Sequence, residues 1–153
     1  MKKLLSIIVF LLSVNTVCAD EVTIASLFSA MPDSLMPYLT KNNRLDMIDF
    51  MEAKMKAEVT NLLDGKSEMT ALTTDSLSIR MNGVLTVDMV LITLDEPVDS
   101  SSVGIRIVRT YTLNENQAER VVDTYSSAWR KLSSTVDASS LLRRDEELLK
   151  SYL

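Results

Sequence analysis

The chain has 153 residues, a formal charge of −5, no histidine and a single cysteine. Ser-His-Asp and Cys-His catalysis require histidine, and zinc sites draw on histidine and cysteine, so this composition excludes those chemistries. The acidic balance also argues against nucleic acid as a partner, because binding to the phosphate backbone depends on clustered lysine and arginine.

The first 19 residues have the three regions of a secretory signal peptide. Lys2 and Lys3 supply the positive charge, and residues 4–14 form an apolar run that two serines interrupt. This run is shorter than the roughly 20 residues that span a bilayer, so we expect a signal that is removed rather than a membrane anchor. Cleavage is predicted after Ala19, which has the small side chain that such sites require.

Cys18 offers an alternative, because a cysteine at this place can be the lipidated first residue of a bacterial lipoprotein. That processing requires a small residue immediately before the cysteine, where this chain has Val17. Cleavage after Ala19 is therefore favoured over a lipid anchor. The mature chain, residues 20–153, then contains no cysteine. Loss of the two signal lysines leaves 14 Lys and Arg against 21 Asp and Glu, a formal charge of −7.

The first third of the mature chain has helical periodicity. Four apolar residues at i, i+3, i+4 and i+7 predict a short helix that Pro32 ends; these residues are Ile24, Leu27, Phe28 and Met31. A longer helix is predicted to run to about Ala57, with Asn42 or Asn43 as its N-cap. Its expected apolar stripe consists of Leu45, Ile48, Met51 and Met55.

From about Val59 the apolar period changes from 3.6 to 2, which is typical of strands. Residues 59–72 are predicted to hold two short strands around a turn at Asp64-Gly65. Residues 76–81 and 85–91 then alternate cleanly and predict two more strands. The apolar residues of this second pair are Leu77, Ile79 and Met81, followed by Leu85, Val87, Met89 and Leu91.

The turn between these last two strands has a predictable length. A two-residue loop at Asn82-Gly83 would turn the two apolar sets to opposite faces of the sheet, because a one-residue slip inverts every side chain. We therefore expect a three-residue turn or a glycine bulge at Gly83. That register pairs Ile79 with Val87.

Two further strands are expected at residues 103–111 and 121–129, bounded by polar loops at residues 95–102 and 114–117. A register that sets Ile107 opposite Tyr125 also sets Arg109 opposite Asp123. The second segment also fits helical spacing, but its β-branched residues favour a strand. Residues 137–152 are predicted to form a final amphipathic helix.

Asp46, Asp49 and Glu52 form the densest group of carboxylates, at helical spacing. Such a group can supply a general acid and base or bind a hard cation such as calcium. The favoured interpretation is the solvated face of an amphipathic helix. Arg109 and Asp123 are predicted on the apolar face, where a buried ion pair can mark a functional pocket. A place at the sheet margin, with the charged heads in water, is favoured for this pair.

Met47, Met51 and Met55 are spaced at i, i+4 and i+8. Thioethers can hold Cu(I) or line a groove for apolar ligands, but packing in the core is the favoured interpretation. Aromatic side chains can stack on a sugar or a peptide, and core packing is again favoured. These aromatic residues are Tyr38, Tyr111, Tyr125 and Trp129.

Residues 31–39 have the sequence MPDSLMPYL, and residues 42–50 have NNRLDMIDF. These two stretches resemble an uncharacterised family of exported proteins from Bacteroidales, the domain of unknown function family 3256. The likeness continues from Gly65-Lys66-Ser67 through Asp75-Ser76-Leu77 and covers most of the mature chain. The resemblance implies a location in a Gram-negative envelope, and it implies neither an activity nor any catalytic residue.

The sequence therefore predicts a signal peptide at residues 1–19 and one α+β domain at residues 20–153. N-terminal helices would pack on one face of an antiparallel meander of five or six strands, with a short C-terminal helix. We expect an exported, non-catalytic periplasmic or envelope protein that binds an apolar or peptide ligand or a partner protein. No catalytic, cofactor-binding or metal residue is assigned. The alternative function is a hydrolase that works through the carboxylates of Asp46, Asp49 or Asp123.

Overall fold

The computed structural model of the protein describes residues 22–114 and 117–137, in which seven strands form one antiparallel sheet. Each strand pairs with the next one along the chain, so the sheet is a continuous meander. The strands are β1 (Ala57–Thr60), β2 (Lys66–Leu72), β3 (Ser76–Arg80), β4 (Leu85–Val98), β5 (Ser101–Asn114), β6 (Gln117–Ser126) and β7 (Lys131–Asp137).

Two short helices precede the sheet, α1 (Ile24–Ala30) and α2 (Lys41–Glu52), with a 3₁₀ turn (Asp33–Leu35) between them. Each helix begins with a capping box in which a threonine side chain accepts from the backbone of the third helical residue. Neither helix has the length and apolar character that crossing a bilayer requires, within the residues that the structure describes.

The capping of α2 differs from the prediction. Thr40 is the N-cap, and Asn43 lies in the first turn, where its Oδ1 accepts from the Thr40 backbone N–H at 3.1 Å. The helix ends at Glu52 rather than near Ala57, which begins β1. Thr40 caps the helix in place of the predicted Asn42 or Asn43, because a threonine hydroxyl can also accept from the backbone of the first turn.

The predicted α+β class is wrong, because the seven-stranded sheet dominates the described chain and makes the fold mainly β. Much of the added β-structure lies in residues 95–102, which were predicted to be a polar loop. β4 and β5 continue through this segment to a tight turn at Asp99 and Ser100. Both turn residues have positive φ, 53° and 65°, as the type I′ hairpin turn requires.

β7 was not predicted, because its polar residues do not alternate with apolar ones. The predicted C-terminal helix of residues 137–152 overlaps the last residue of β7 and otherwise lies outside the described residues. The prediction of a strand rather than a helix at residues 121–129 is confirmed, although this strand, β6, extends from Gln117 to Ser126. The two strands predicted around Asp64-Gly65 are confirmed as β1 and β2.

The register predicted between β3 and β4 is confirmed. Ile79 lies opposite Val87, and the strands are joined by a three-residue turn at residues 82–84. The side chain of Asn82 closes this turn by accepting from the backbone N–H groups of Val84 and Leu85, each at 2.9 Å. Gly83 does not have positive φ, so the turn needs no glycine bulge.

The register predicted between β5 and β6 is wrong by two residues. Tyr125 lies opposite Ile105 rather than Ile107, and Asp123 lies opposite Ile107 rather than Arg109. Because side chains alternate with a period of two, this shift leaves every residue on its predicted face. Arg109 and Asp123 consequently remain neighbours, on a diagonal instead of directly opposite.

One face of the sheet and the inner sides of the helices form the hydrophobic core. α1 contacts β3 and β4, and α2 contacts β1 and β2. The predicted apolar stripe of α2 is partly wrong, since Leu45 and Met55 are exposed. The fully buried core residues include Ile24, Phe28, Leu39, Met47, Met69, Ile79, Met81, Val87, Met89, Ile105 and Ile107.

Arg44 is the largest side chain buried in this core, with 1% of its surface exposed. Its Nε donates to the Phe28 carbonyl at 3.1 Å, and its Nη2 donates to the Met31 carbonyl at 2.6 Å. Nη1 donates to the Leu39 carbonyl at 2.9 Å and to Asp33 Oδ1 at 2.8 Å. From its place on α2, the guanidinium therefore joins α1, the 3₁₀ turn and the segment that leads into α2 through charge-assisted hydrogen bonds.

Replacing Arg44 tests this role. We expect Arg44→Met to lower the free energy of unfolding by about 3–5 kcal/mol, because three backbone carbonyls then lose a charged donor inside the core. Lys41→Met, at an exposed position of the same helix, is the control and should change the free energy of unfolding by less than about 0.5 kcal/mol. Urea unfolding measures the stability of both variants, and equal effects of the two substitutions would contradict the role assigned to Arg44.

Candidate functional site

The three clustered carboxylates lie in the solvent. Asp46, Asp49 and Glu52 are all exposed on the outer side of α2. The described residues contain no group of three or more His, Cys, Asp or Glu side chains placed to hold a metal ion. These positions give the carboxylates no cleft in which to act together.

The methionine stripe does not converge on one place either. Met47 is buried in the core, and Met51 is partly buried against it. Met55 lies beyond the end of α2 and is exposed. Three thioethers at these depths cannot share one copper ion, and Met47 and Met51 pack with the apolar residues around them.

Arg109 and Asp123 are brought together, as the sequence predicted. Arg109 Nη1 lies 2.6 Å from Asp123 Oδ2, and Nη2 donates to the Leu35 carbonyl of the 3₁₀ turn at 3.1 Å. Asp123 is buried, with 5% of its surface exposed. The Arg109–Asp123 pair is therefore more deeply buried than the predicted position at the sheet margin implied.

Two residues of β7 complete this group and were not predicted. Lys131 Nζ lies 2.8 Å from Asp123 Oδ1, and Ser134 Oγ donates to the same oxygen at 2.6 Å. We call Arg109, Asp123, Lys131 and Ser134 the Asp123 cluster. Its outer member is Lys131, whose side chain is 52% exposed. The neighbouring β-branched residues Thr135 and Val136 were the sequence signal for the strand that carries it.

The cluster holds Asp123 in its ionised form. Burial alone raises the pKa of the Asp123 carboxyl, but hydrogen bonds from Lys131 and Ser134, together with the charges of Lys131 and Arg109, outweigh it. The net result is a pKa below the usual range. The same hydrogen bond raises the pKa of Lys131. At neutral pH the cluster therefore contains one carboxylate and two cations.

This arrangement suits binding better than acid catalysis. Both oxygens of Asp123 already accept from the cluster, and a lowered pKa removes the proton that a general acid must hold. Lys131 has three N–H donors and is half exposed, so it can reach a further acceptor. The excess positive charge is local, since the chain as a whole is acidic.

An aromatic pair adjoins the cluster. Tyr125, which lies opposite Lys131, is buried and packs on Trp129 with ring centroids 5.9 Å apart. Trp129 has a φ of 63°, a region that side chains other than glycine rarely occupy. Its buried Nε1 has no hydrogen-bond partner among the described residues. Strained backbone and unpaired polar atoms of this kind occur at functional sites.

The turn that carries Trp129 is tied to the β4–β5 hairpin. Ser126 Oγ donates to Asp99 Oδ2 at 2.9 Å, and Arg130 Nη2 lies 3.4 Å from Asp99 Oδ1. The Ser126 backbone N–H also donates to the Arg130 carbonyl at 2.9 Å. These contacts fix the tryptophan beside the cluster. Tyr111 is partly buried and Tyr38 is exposed, so the four aromatic residues form no single stack.

The helices make few contacts with this part of the core face. Their main contacts are with β1 to β4, whereas the Asp123 cluster and the aromatic pair belong to β5, β6, β7 and the turn before β7. The 3₁₀ turn reaches it through the hydrogen bond from Arg109 to Leu35. The candidate site is therefore the β5–β7 end of the core face.

The pH dependence of stability tests the state of Asp123. A lowered folded pKa means that its ionisation stabilises the fold above the unfolded value of about 3.9, and that this contribution is lost as pH falls through the folded pKa. We therefore expect Asp123→Asn to be less stable than the native protein near pH 7, and to lose less stability between about pH 5 and pH 2.5.

Urea unfolding at several pH values measures this difference. Asp46→Asn, which changes an exposed carboxyl of α2, is the control, and its free energy of unfolding should change with pH as that of the native protein does. If Asp123→Asn and the native protein lose stability in parallel as the pH falls, Asp123 does not have the assigned ionisation.

Comparison with known proteins gives a family and a fold. The family model described as "Protein of unknown function (DUF3256)" matches residues 15–146. The resemblance noted in the sequence is thereby confirmed as to the family. A domain of an uncharacterized protein from Porphyromonas gingivalis W83 has a similar structure, with a TM-score of 0.56 and 25% sequence identity.

The match to that domain covers 71% of this chain and 52% of that one, so the chain spans about half the length of the solved structure. A search of curated proteins gives no match. The comparisons therefore identify a family and leave the activity to be inferred from the site.

Proposed function

The chain belongs to the DUF3256 family of proteins of unknown function, and we propose that it is an exported envelope protein that binds a partner and catalyses no reaction. The observation that carries the proposal is the Asp123 cluster, in which a buried carboxylate is fully paired and a half-exposed lysine faces outward. The cluster lies on the part of the core face that the helices contact least, and Lys131 is its exposed member.

The chemistry of this site suits a peptide that carries a carboxylate. Lys131 provides a cation with unused donors, and Arg109 beside it adds positive charge. Trp129, which packs on the buried Tyr125, is partly exposed and supplies apolar surface beside the lysine. A negatively charged group next to an apolar side chain would match both features.

The carboxylate hydrolase has less support. Its proposed acids, Asp46 and Asp49, are exposed on α2, and its third candidate, Asp123, is an ionised member of the cluster. A hydrolase of this kind needs two carboxyls that converge on one substrate bond. The described residues do not provide such a pair around Asp123, whose partners are two cations and a hydroxyl.

Export is supported by residues 1–19, which have the charge, apolar run and small-residue ending of a signal peptide. The periplasm or cell envelope is the proposed location, since the sequence resembles a family of exported Bacteroidales proteins. A lipid anchor at Cys18 remains the less favoured form of the same proposal, because Val17 precedes it.

Isolation of the protein from its own cells tests export and binding together. We expect it in the envelope fraction with Asp20 as its first residue. After cross-linking, a partner protein should be recovered with the native protein. The amount of partner recovered with Lys131→Gln should be about tenfold lower, because the outward cation is lost. Mass spectrometry identifies and quantifies the partner.

Lys66→Gln is the matched control. Lys66 is also an exposed strand lysine paired with a carboxylate, Glu58, but it lies on β2, next to the opposite edge of the sheet. It should leave recovery unchanged. Met1 at the N-terminus of a cytosolic protein would refute export, and equal recovery with both substitutions would refute the site.

A further inference from the structure

The two outer strands of the described sheet differ in how their edges are protected. β1 has four residues, it contacts α2, and Asn43 Nδ2 donates to the Thr60 carbonyl at 3.3 Å. Lys56 and Glu58 add a charged pair at 2.5 Å beside it. Short length, a covering helix and charges are the features that keep an edge strand from pairing with another chain.

Within the described part of the chain, β7 has no helix among its main contacts, and its two charged residues, Lys131 and Asp137, lie only at its ends. It has seven residues and pairs on one side, with β6. The side chains of residues 131–136 are all exposed. From Leu132 to Val136 the strand contains neither a charged residue nor proline. An edge with these properties favours pairing with an extended segment.

The sequence of β7 is complementary to itself. In an antiparallel pair of two copies centred on Ser134, Leu132 of each copy lies opposite Val136 of the other. Ser133 lies opposite Thr135, and Ser134 faces its own equivalent. Apolar residues meet apolar ones and hydroxyls meet hydroxyls, and such cross-strand pairs stabilise a sheet. A centre shifted by one residue in either direction would set Leu132 or Val136 against Ser134.

We propose that the protein forms a symmetric dimer in which β7 pairs antiparallel with β7 of a second copy, in the register centred on Ser134. The twofold axis passes through Ser134, so each contact occurs twice, as in an isologous interface. The two sheets then form one continuous sheet of fourteen strands. Leu132 and Val136, both exposed in the single chain, cover one another across the new pair.

The dimer should be weak. A pairing of about five residues on each side buries less than the roughly 1,000 Å² that a stable interface needs. Both copies are acidic, so repulsion opposes association until salt screens it. We expect the dimer to appear with increasing protein concentration between about 1 and 500 µM at about 0.15 M salt.

Charge substitutions test both the surface and the register. Leu132→Lys with Val136→Lys puts like charges opposite each other in the dimer and should weaken dimerisation about tenfold or more. Leu132→Glu with Val136→Glu should do the same. A mixture of these two variants should form a heterodimer, because each lysine then lies opposite a glutamate. Sedimentation velocity measures each association, and circular dichroism checks each fold.

Leu62→Lys with Leu63→Lys is the matched control. It adds two charges at exposed leucines near the opposite edge of the sheet and should leave dimerisation unchanged. The variant Leu132→Lys with Val136→Glu should dimerise with itself, since the register again pairs opposite charges.

Three results would overturn the proposal. Native protein that stays monomeric at every concentration tested would refute the dimer. Dimerisation that the paired lysines do not weaken would place the interface elsewhere. Failure of the lysine and glutamate variants to associate on mixing would refute the register. These outcomes do not depend on Lys131, so they are distinct from the test of partner binding.

Discussion

The guanidinium of Arg44 holds the N-terminal part of the fold together. From α2, its donors reach the carbonyls of Phe28, Met31 and Leu39 and the carboxylate of Asp33, which lie in α1 and in the segment between the two helices. A buried cation is tolerated only when its donors are satisfied, and here they are. Short helices such as α1 have little stability of their own, so the path of the chain depends on this residue.

The consequences extend from the helices to the candidate site. Arg44 fixes the 3₁₀ turn by binding on both sides of it, and the turn presents the Leu35 carbonyl to Arg109. Arg109 in turn pairs with Asp123, which Lys131 and Ser134 hold from β7. These hydrogen bonds and the backbone of the 3₁₀ turn therefore connect the buried arginine to the β5–β7 end of the core face. The helices and this end of the sheet are thus linked by charged groups as well as by packing.

Sequence periodicity was sufficient where one face of a strand is fully apolar. The alternation around Ile79 and Val87 determined both the strands and the length of their turn, and the structure confirms the register. It was insufficient where polar residues form the strand, as in β7, or where a hairpin turn uses Asp and Ser with positive φ, as at Asp99. Arg44 was not singled out because hydropathy assigns an arginine to the solvent. Its burial follows from the carbonyls of distant residues, which no local pattern reveals.

The connection between Arg44 and the Asp123 cluster is the central claim, and a double-mutant cycle measures it directly. Arg44→Lys and Arg109→Lys each keep the charge and lose the planar fork of donors. If Arg44 positions the Leu35 carbonyl for Arg109, their effects on the free energy of unfolding should be coupled by about 0.5–3 kcal/mol. Effects that add to within about 0.3 kcal/mol would show that the two arginines act independently, and would contradict the account.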